Sequence, residues 1–328
     1  MQPKLEDVAK LAGVSTTTVS RVINNRGYLS ESTKDKVFKA MQRLNYQPSS
    51  AARALHGKQF KLIGLIFAGI TNPIIAEVVE KIEDRLFNRG YKAIICNSLD
   101  NPEKERQYLR MLMANQVDGI ITGSHNEGIK EYGMTELPIV SYDRYFKDKI
   151  PTVRSDNYGG GQLAAKTLID KGAKKLLLVS GSIDVQMPNN DRITGFNKAV
   201  EDRGYTPQTV ELPYNSTPAI KRATIHQSLL IDHPDGIFCT DDLTAILCMQ
   251  EAKKIGMKIP DDLQVIGFDG STNVQEYNPE LSTIVQPLDD IADLLVRLLF
   301  NRLDNEDEKL LEEYTLPVEL IQRESVKN

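Results

Sequence analysis

The chain has 328 residues, of which 41% are hydrophobic and 26% charged, a composition typical of a folded protein with two or three domains. No apolar run approaches the length of a membrane span, and the polar first residues lead straight into a predicted helix. We therefore expect no signal peptide, no membrane partner and a cytoplasmic location. Cys96, Cys239 and Cys248 and four scattered histidines lack ligand spacing, so we expect reduced core thiols, no metal site and no cofactor.

Charge is distributed unevenly along the chain. Residues 1–58 contain ten Lys or Arg against four Asp or Glu and carry +6, whereas the remainder carries −11 and the whole chain −5. A basic segment on an acidic body is typical of a protein whose one end binds a polyanion such as nucleic acid.

Residues 5–24 predict two short helices joined by a tight turn at Gly13. Ser15 is a suitable N-cap for the second helix and is also an expected DNA contact. Residues 19, 22 and 23 of that helix form an inward apolar stripe. The opposite face carries groups that hydrogen-bond base edges and phosphates. These residues are Thr16, Thr17, Ser20, Arg21 and Asn24.

A third predicted helix opens at Ser30 or Ser32 and completes a helix-turn-helix headpiece over residues 1–47. The alternative is a helical hairpin whose polar face is merely solvated. The local positive charge favours DNA binding over that alternative.

From Lys61 onward, strand-like and helix-like runs alternate. Continuous apolar runs predict buried strands at 62–67, 92–96, 119–121, 139–142, 176–180, 236–240 and 264–269. Amphipathic runs predict helices at 74–89, 102–114, 161–171 and 288–303, and a last strand is expected at 314–322. Buried strands between helices predict an α/β fold with two parallel sheets, each covered on both faces, in two similar subdomains.

Several motifs resemble the lactose and galactose repressor family over the whole chain. They are Asp7-Val8-Ala9, Ala12-Gly13-Val14-Ser15, Thr18-Val19-Ser20-Arg21-Val22-Ile23-Asn24, Tyr46-x-Pro48, Ala52-Arg53-x-Leu55 and Pro317-Val318-Glu319-Leu320-Ile321-x-Arg323-Glu324-Ser325. Within the family, residues 27–30 and 115–126 resemble repressors of sucrose operons.

The resemblance implies that residues 48–60 form a hinge helix that orders on operator DNA. Leu55 then enters the minor groove, with Ala52 beside it and Arg53 near phosphate. From the residues alone, an inert linker and a short helix remain equal alternatives, because a Pro start and a Gly stop suit both. Lys4, Tyr46 and Ser49 are expected to be positioning contacts to DNA.

The resemblance also implies the architecture of the body, residues 61–328. It predicts two doubly wound subdomains, as in periplasmic sugar-binding proteins, with a ligand in the cleft between them. The N-subdomain comprises about 61–156 and 288–315, and the C-subdomain about 157–286 and 316–328. Three crossovers are expected near Asp156, Gln286 and Leu316.

Polar residues follow several predicted strands, and in open α/β sheets ligands lie at that edge. Arg192 offers a forked donor and Tyr214 an aromatic face, which suit a sugar or a sugar phosphate. With the family positions included, the expected effector contacts are Asn72, Ser124, Asp143, Arg192, Tyr214, Asp241, Asp269 and Gln286.

Each of these residues also has a structural alternative. Asp241 or Asp242 can cap the following helix, Asp143 can pair with Arg144, and Tyr214 can be an exposed loop residue. Many relatives have Asn-Asp where this chain has Asp241-Asp242, and because Asp cannot donate as Asn can, this position favours an effector hydroxyl that donates.

Together with these residues, the resemblance implies a homodimeric repressor that binds operator DNA under control of sucrose, fructose or a fructose phosphate. The run Gly159-Gly160-Gly161 is expected just before a helix, where it permits a crossover and does not hold a phosphate. The sequence offers no paired nucleophile and base and no nucleotide-binding loop, so no catalysis is expected. A cytoplasmic sugar-binding protein without operator specificity and a sugar-processing enzyme remain the alternatives, in that order.

Overall fold

The computed structural model describes residues 3–23, 26–46, 59–114, 117–144, 146, 150–181, 188–212, 216–304 and 311–328. The chain divides into two compact units, residues 1–60 and 61–328, which are described separately.

The first unit contains three helices in its described residues: α1 (Leu5–Ala12), α2 (Thr16–Ile23) and α3 (Glu31–Leu44). Gly13 ends α1 with a positive φ of 67°, which turns the chain sharply into α2. The Ser15 hydroxyl accepts from the Thr18 amide at 3.1 Å, and Ser30 caps α3 in the same way. The core is small and includes Val8, Ala9, Ala12, Val19, Val22, Val37 and Ala40.

The second unit alternates strands and helices, as expected. Its strands are β1 (Leu62–Phe67), β2 (Lys92–Asn97), β3 (Gly119–Gly123), β4 (Ile139–Tyr142), β5 (Thr152–Ser155), β6 (Leu176–Ser180), β7 (Gln208–Glu211), β8 (Gly236–Cys239), β9 (Gln264–Asp269), β10 (Ser282–Val285), β11 (Glu313–Leu316) and β12 (Glu319–Ile321). Its α-helices are α4 (Pro73–Asn88), α5 (Pro102–Ala114), α6 (Asn157–Asp170), α7 (Asp191–Asp202), α8 (Pro218–Asp232), α9 (Asp242–Lys254), α10 (Thr272–Tyr277) and α11 (Leu288–Leu303). Short 3-10 helices occupy Lys130–Met134 and Pro188–Asn190.

The strands form two six-stranded sheets. The first has the order β11-β5-β4-β3-β1-β2, and the second has the order β12-β10-β9-β8-β6-β7. Pairing is parallel throughout except between β10 and β12. We call the first sheet with α4, α5 and α11 the first lobe, and the second sheet with α6 to α10 the second lobe.

The chain passes between the lobes at three places in the described residues: from β5 to α6, from β10 to α11 and from β11 to β12. Apolar clusters cover the sheets, such as the one in which α4 and α11 bury Ile82 and Leu295 with β1 of the first sheet. The predicted α/β fold with two doubly wound parallel sheets is confirmed.

Two details of the strand prediction are wrong. The single last strand expected at 314–322 is two strands in different sheets, divided at Pro317, which has no amide hydrogen to continue a ladder. Strands β5, β7 and β10 were not predicted, since each has only four residues and carries polar side chains among the apolar ones.

The glycine run was also misplaced, because it lies inside α6 and not before it. A Cβ built on Gly161 would lie 2.1 Å from the Arg192 carbonyl oxygen, and one on Gly195 would lie 2.1 Å from that of Tyr158. Neither backbone oxygen can yield, so these two glycines let α6 and α7 pack backbone against backbone.

The three cysteines are buried, as predicted, and none of them forms a disulfide in the structure. Among the helices of the described residues, none has the length and apolar character needed to cross a membrane. The described residues also contain no group of three potential metal ligands.

Candidate functional site

The outward face of α2 is polar and accessible. Thr16, Thr17 and Arg21 are exposed, and Ser20 is partly exposed. The opposite face is anchored, with Val19 fully buried and Val22 at 6% exposure. The helix therefore presents two hydroxyls and a guanidinium on a fixed frame, which suits hydrogen bonding to base edges.

Other predicted DNA contacts have different surroundings. Lys4 is exposed just before α1, and its backbone amide donates to the Asp7 carboxylate at 2.8 Å. Ser15 uses its hydroxyl as the cap of α2, and Tyr46 is half-buried against the headpiece core. The remaining predicted contacts lie outside the described residues; they are Asn24, Ser49, Ala52, Arg53 and Leu55.

Side chains from both lobes meet in one buried hydrogen-bonded group, which we call the junction cluster. Its members are Tyr142, Asp143, Ser155, Asn157, Arg192, Asp269 and Gln286. Each of them is at most 8% exposed. The structure thus brings together four of the predicted effector contacts, Asp143, Arg192, Asp269 and Gln286.

Arg192 is the centre of the cluster. Its Nε donates to Asn157 Oδ1 at 2.7 Å, and its Nη1 donates to the Thr240 carbonyl at 2.7 Å and to Asp269 Oδ1 at 3.1 Å. Its guanidinium also lies 3.6 Å from the ring centroid of Phe268. Because four groups hold it, the guanidinium has a fixed direction.

Gln286 and Asn157 connect the lobes. Gln286 Oε1 accepts from the Tyr142 hydroxyl at 3.2 Å and from the Ser155 hydroxyl at 2.8 Å, while Nε2 donates to Asp269 Oδ1 at 2.8 Å. Asn157 Nδ2 donates to Asp143 Oδ1 at 3.1 Å. Asp143 therefore does not pair with Arg144, which instead donates to Glu105 Oε1 at 2.9 Å.

The two carboxylates of the cluster are in unusual environments. Asp143 has φ +47° and Asp269 has φ +117°, backbone conformations that residues other than glycine rarely adopt. Burial raises the pKa of Asp269 to about 7, although the positive charge of Arg192 acts to lower it. Backbone strain and a displaced pKa in one cluster are typical of a binding site.

The adjacent acidic pair has a structural role. Asp241 caps α9, accepting from the Thr244 amide and hydroxyl, both at 2.8 Å. Asp242 is 2% exposed and accepts from the Thr283 hydroxyl at 2.5 Å and the Gly270 amide at 2.8 Å. Burial and then the charge of Asp269 raise the pKa of Asp242 well above its usual range.

The structure places the other predicted effector contacts elsewhere. Asn72 caps α4, because its Oδ1 accepts a hydrogen bond from the Ile74 amide at 3.2 Å. Ser124 is fully buried and donates to Glu105 Oε2 at 2.5 Å, so its hydroxyl belongs to a separate group around Glu105. Tyr214 lies outside the described residues.

Sequence reasoning missed three members of the junction cluster: Tyr142, Ser155 and Asn157. Tyr142 ends a strand that was predicted, immediately before Asp143, so the strand edge itself was the available signal. Ser155 and Asn157 flank the end of β5, and because that strand was not predicted, its polar edge was not recognised.

The site joins donors and acceptors at fixed positions between two lobes, a geometry that suits a small ligand rich in hydroxyl groups. Together with the exposed polar helix of the headpiece, the fold and the site define a class: a two-lobed ligand-binding body that carries a helix-turn-helix unit.

Comparison with known proteins agrees with this class. Bacterial regulatory proteins of the lacI family match residues 4–49, and a periplasmic binding protein-like domain matches residues 165–326. The sucrose operon repressor of Pediococcus pentosaceus is 51% identical over 321 residues, which cover 98% of this chain and 98% of that protein. The chain belongs to the lacI family of bacterial regulatory proteins.

Solved structures show the same architecture. A periplasmic binding protein/LacI transcriptional regulator from Alkaliphilus metalliredigens QYMF, complexed with D-xylulofuranose, is 32% identical, covers 82% of this chain and all of its own, and has a TM-score of 0.75. The lac repressor dimer bound to operator and the anti-inducer ONPF covers the whole of both chains at 24% identity with a TM-score of 0.87. The latter likeness concerns the fold alone.

Proposed function

We propose that this protein is a transcriptional repressor of a sugar-utilisation operon, with the sucrose operon as the first candidate. The observation that carries the proposal is that one chain combines an exposed polar helix in a basic headpiece with a buried cluster of fixed hydroxyl-binding groups. The identity of 51% to a sucrose operon repressor supports the operon assignment.

In this proposal α2 enters the major groove of operator DNA. Thr16 and Thr17 contact bases, each good contact contributing about 1 to 3 kcal/mol of discrimination. Arg21 anchors the helix, and Lys4, Tyr46 and Ser49 position the headpiece on the backbone. Ala52, Arg53 and Leu55 belong to a hinge that meets the minor groove.

The repressor acts as a cytoplasmic homodimer. One small helix buries too little surface for tight specific binding, so two headpieces must read two half-sites of a pseudo-palindromic operator. The lac repressor, which shares the fold, was solved as a dimer bound to operator.

A sugar or sugar phosphate, such as sucrose, fructose or a fructose phosphate, binds at the junction cluster. The cluster lies between the N-subdomain, about 61–156 and 288–315, and the C-subdomain, about 157–286 and 316–328. Arg192, Asp143, Asp269 and Gln286 hold its hydroxyls or phosphate, with Asn157 beside them. We keep Asn72, Ser124, Tyr214 and Asp241 as secondary effector positions on the sequence pattern alone.

Contacts between the lobes support allosteric control. The Glu77 carboxylate on α4 accepts from the Thr272 amide at 2.7 Å and the Thr272 hydroxyl at 2.8 Å, and Arg154 Nη1 donates to Asp191 Oδ2 at 2.7 Å. A ligand that prefers one arrangement of the lobes changes these contacts and thereby the spacing of the headpieces. Sugar affinity and operator affinity are then reciprocally coupled.

The test is fluorescence anisotropy with duplex DNA from the promoter beside the protein's own gene and with a scrambled duplex of equal length. We expect preferential binding to the promoter duplex and a changed affinity when sucrose, fructose or a fructose phosphate is added. Arg21→Ala should abolish the preference while leaving the thermal transition unchanged, because Arg21 is exposed.

The outcomes separate the alternatives. Equal weak binding to both duplexes with a clear sugar response would favour a sugar-binding protein without operator specificity. Turnover of sucrose would favour a sugar-processing enzyme. Specific binding without any response to sugars would remove the effector part of the proposal.

A further inference from the structure

The segment after β3 carries a histidine between two anchored neighbours. Ser124 Oγ and Asn126 Nδ2 donate to the same atom, Glu105 Oε2, at 2.5 and 2.7 Å. Glu105 is fully buried and also accepts from Arg144. Because charge-assisted hydrogen bonds to a buried carboxylate are strong, the backbone on both sides of His125 is fixed.

The direction of the His125 side chain follows from its neighbours. Residues 124 and 126 reach the same oxygen and are buried, whereas His125 between them is partly exposed, which is the alternation of extended chain although β3 itself ends at Gly123. The intervening side chain therefore points to the opposite side. Among the charged groups that act on its imidazole, the carboxylate of Asp143 has the largest effect. Asp143 is the first-lobe member of the junction cluster that accepts from Asn157.

The imidazole itself is incompletely hydrogen-bonded. Nδ1 of His125 is enclosed and has no hydrogen-bond partner among the described residues, although the residue as a whole is only partly buried. Enclosed polar atoms in native proteins are almost always paired, so an exception at a ligand cleft points to a partner that arrives from outside the chain.

The charge state of this imidazole determines the chemistry it offers. Burial lowers the pKa of His125, against the opposing effect of Asp143. The neutral ring has one donor and one acceptor nitrogen. It therefore suits a hydroxyl group, which can accept from one neighbour and donate to another, better than it suits a phosphate dianion.

We propose that His125 is a specificity-determining residue of the effector site and that its Nδ1 hydrogen-bonds one hydroxyl of the bound sugar from the first lobe. This inference rests on the proposed function and adds the residue that distinguishes one sugar from another. The second lobe, through Arg192 and Asp269, holds the ligand by charge-assisted bonds, and His125 selects by the position of a single hydroxyl.

The experiment first determines, by isothermal titration calorimetry, which of sucrose, fructose and fructose 6-phosphate the wild-type protein binds. The same titration is repeated with singly deoxygenated analogues of that sugar and with His125→Leu, a replacement of similar volume that cannot hydrogen-bond. We expect His125→Leu to bind the sugar about tenfold more weakly, with an unchanged thermal transition and unchanged operator affinity without sugar.

The analogues separate a contact from a structural role. One deoxy analogue should bind the wild type about tenfold more weakly than the parent sugar. The same analogue and the parent sugar should bind His125→Leu with equal affinity, because the variant lacks the group that contacts the missing hydroxyl. His125→Gln, which keeps a donor and an acceptor, should recover part of the lost affinity and serves as the test variant should His125→Leu fail to fold. Glu127→Gln, at an exposed position two residues further on, is the matched control and should leave sugar affinity unchanged.

Failure of this inference is distinguishable from failure of the proposed function. If the wild type binds none of the sugars, the proposed effector fails and the His125 assignment fails with it. If the wild type binds a sugar and the variants bind it equally well, or lose affinity equally for every analogue, the assignment of His125 alone is overturned.

Discussion

The ion pair at the centre of the junction cluster should show strong and pH-dependent energetic coupling. Arg192→Met removes the guanidinium that pairs with the Asp269 carboxylate, which is 7% exposed. Among the described residues, the carboxylate would then accept only from Gln286 Nε2, at 2.8 Å. Breaking a buried pair from one side costs about 3 to 5 kcal/mol. Asp269→Asn should cost about 1 kcal/mol, because Arg192 keeps its bonds to Asn157 and Thr240.

The double variant should cost less than the sum, since neither partner remains as an unpaired buried charge. We expect a coupling free energy of about 2 kcal/mol from the cycle of the wild type, the two single variants and the double variant. The measurement is urea-induced unfolding followed by circular dichroism.

The sign of the pH dependence follows from the pKa of Asp269. The pKa of Asp269 in the folded protein is raised to about 7, so folding takes up a proton between the ordinary pKa of a carboxyl group and pH 7. Over that interval the contribution of Asp269 to stability falls as pH rises. Above pH 7 this contribution is constant. Loss of Arg192, whose charge lowers that pKa, extends the fall above pH 7. The coupling should therefore grow by about 1 kcal/mol between pH 6 and pH 8.

A matched control is available on the same helix. Lys198 and Asp202 of α7 form an ion pair at 2.5 Å, but both side chains are more than half exposed. Their double-variant cycle should show no measurable coupling at either pH. Additive effects for Arg192 and Asp269 at both pH values would refute the reasoning.

Three further predictions concern the frame of the two sites. Gly195→Ala should destabilise the body by about 1 to 3 kcal/mol and weaken sugar binding, because the added methyl group meets a backbone oxygen of α6; unchanged denaturant midpoints would contradict this. Glu105→Ala should cost about 3 to 5 kcal/mol in urea unfolding, because it leaves the buried Arg144 unpaired, whereas exposed Glu103→Ala should be neutral; equal effects would disprove the assignment. Lys4→Ala should weaken binding to operator and random DNA alike and reduce the salt slope of log affinity by about 1; an unchanged slope would exclude a phosphate contact.

Much of the fold could be predicted because several of its strands are marked by a local pattern in the sequence. The runs at 62–67, 139–142, 176–180 and 264–269 are continuous apolar segments, and the structure has strands over the same residues. Likewise, the period of the second headpiece helix placed Val19 and Val22 inside and Thr16 and Arg21 outside. In these segments local pattern and tertiary burial agree.

The cluster was less predictable because its bonds join residues far apart in sequence. Arg192 meets Asp269 across 77 positions, and Ser155 meets Gln286 across 131. Asp241 was named from its place after a strand, but the same place also suits a helix cap, and the structure shows that role. No local pattern distinguishes these two uses of a carboxylate.

The close crossing of α6 and α7 bears on how relatives of this protein diverge. Asn157 begins the first of these helices, and Arg192 lies in the opening turn of the second. The backbone contacts at Gly161 and Gly195 therefore hold the Asn157 amide and the Arg192 guanidinium on one tightly packed helix pair. Mutations there disturb both groups at once and are poorly tolerated. Substitutions in the first lobe would instead leave Asn157 and Arg192 in place, so we expect ligand preference to change there first.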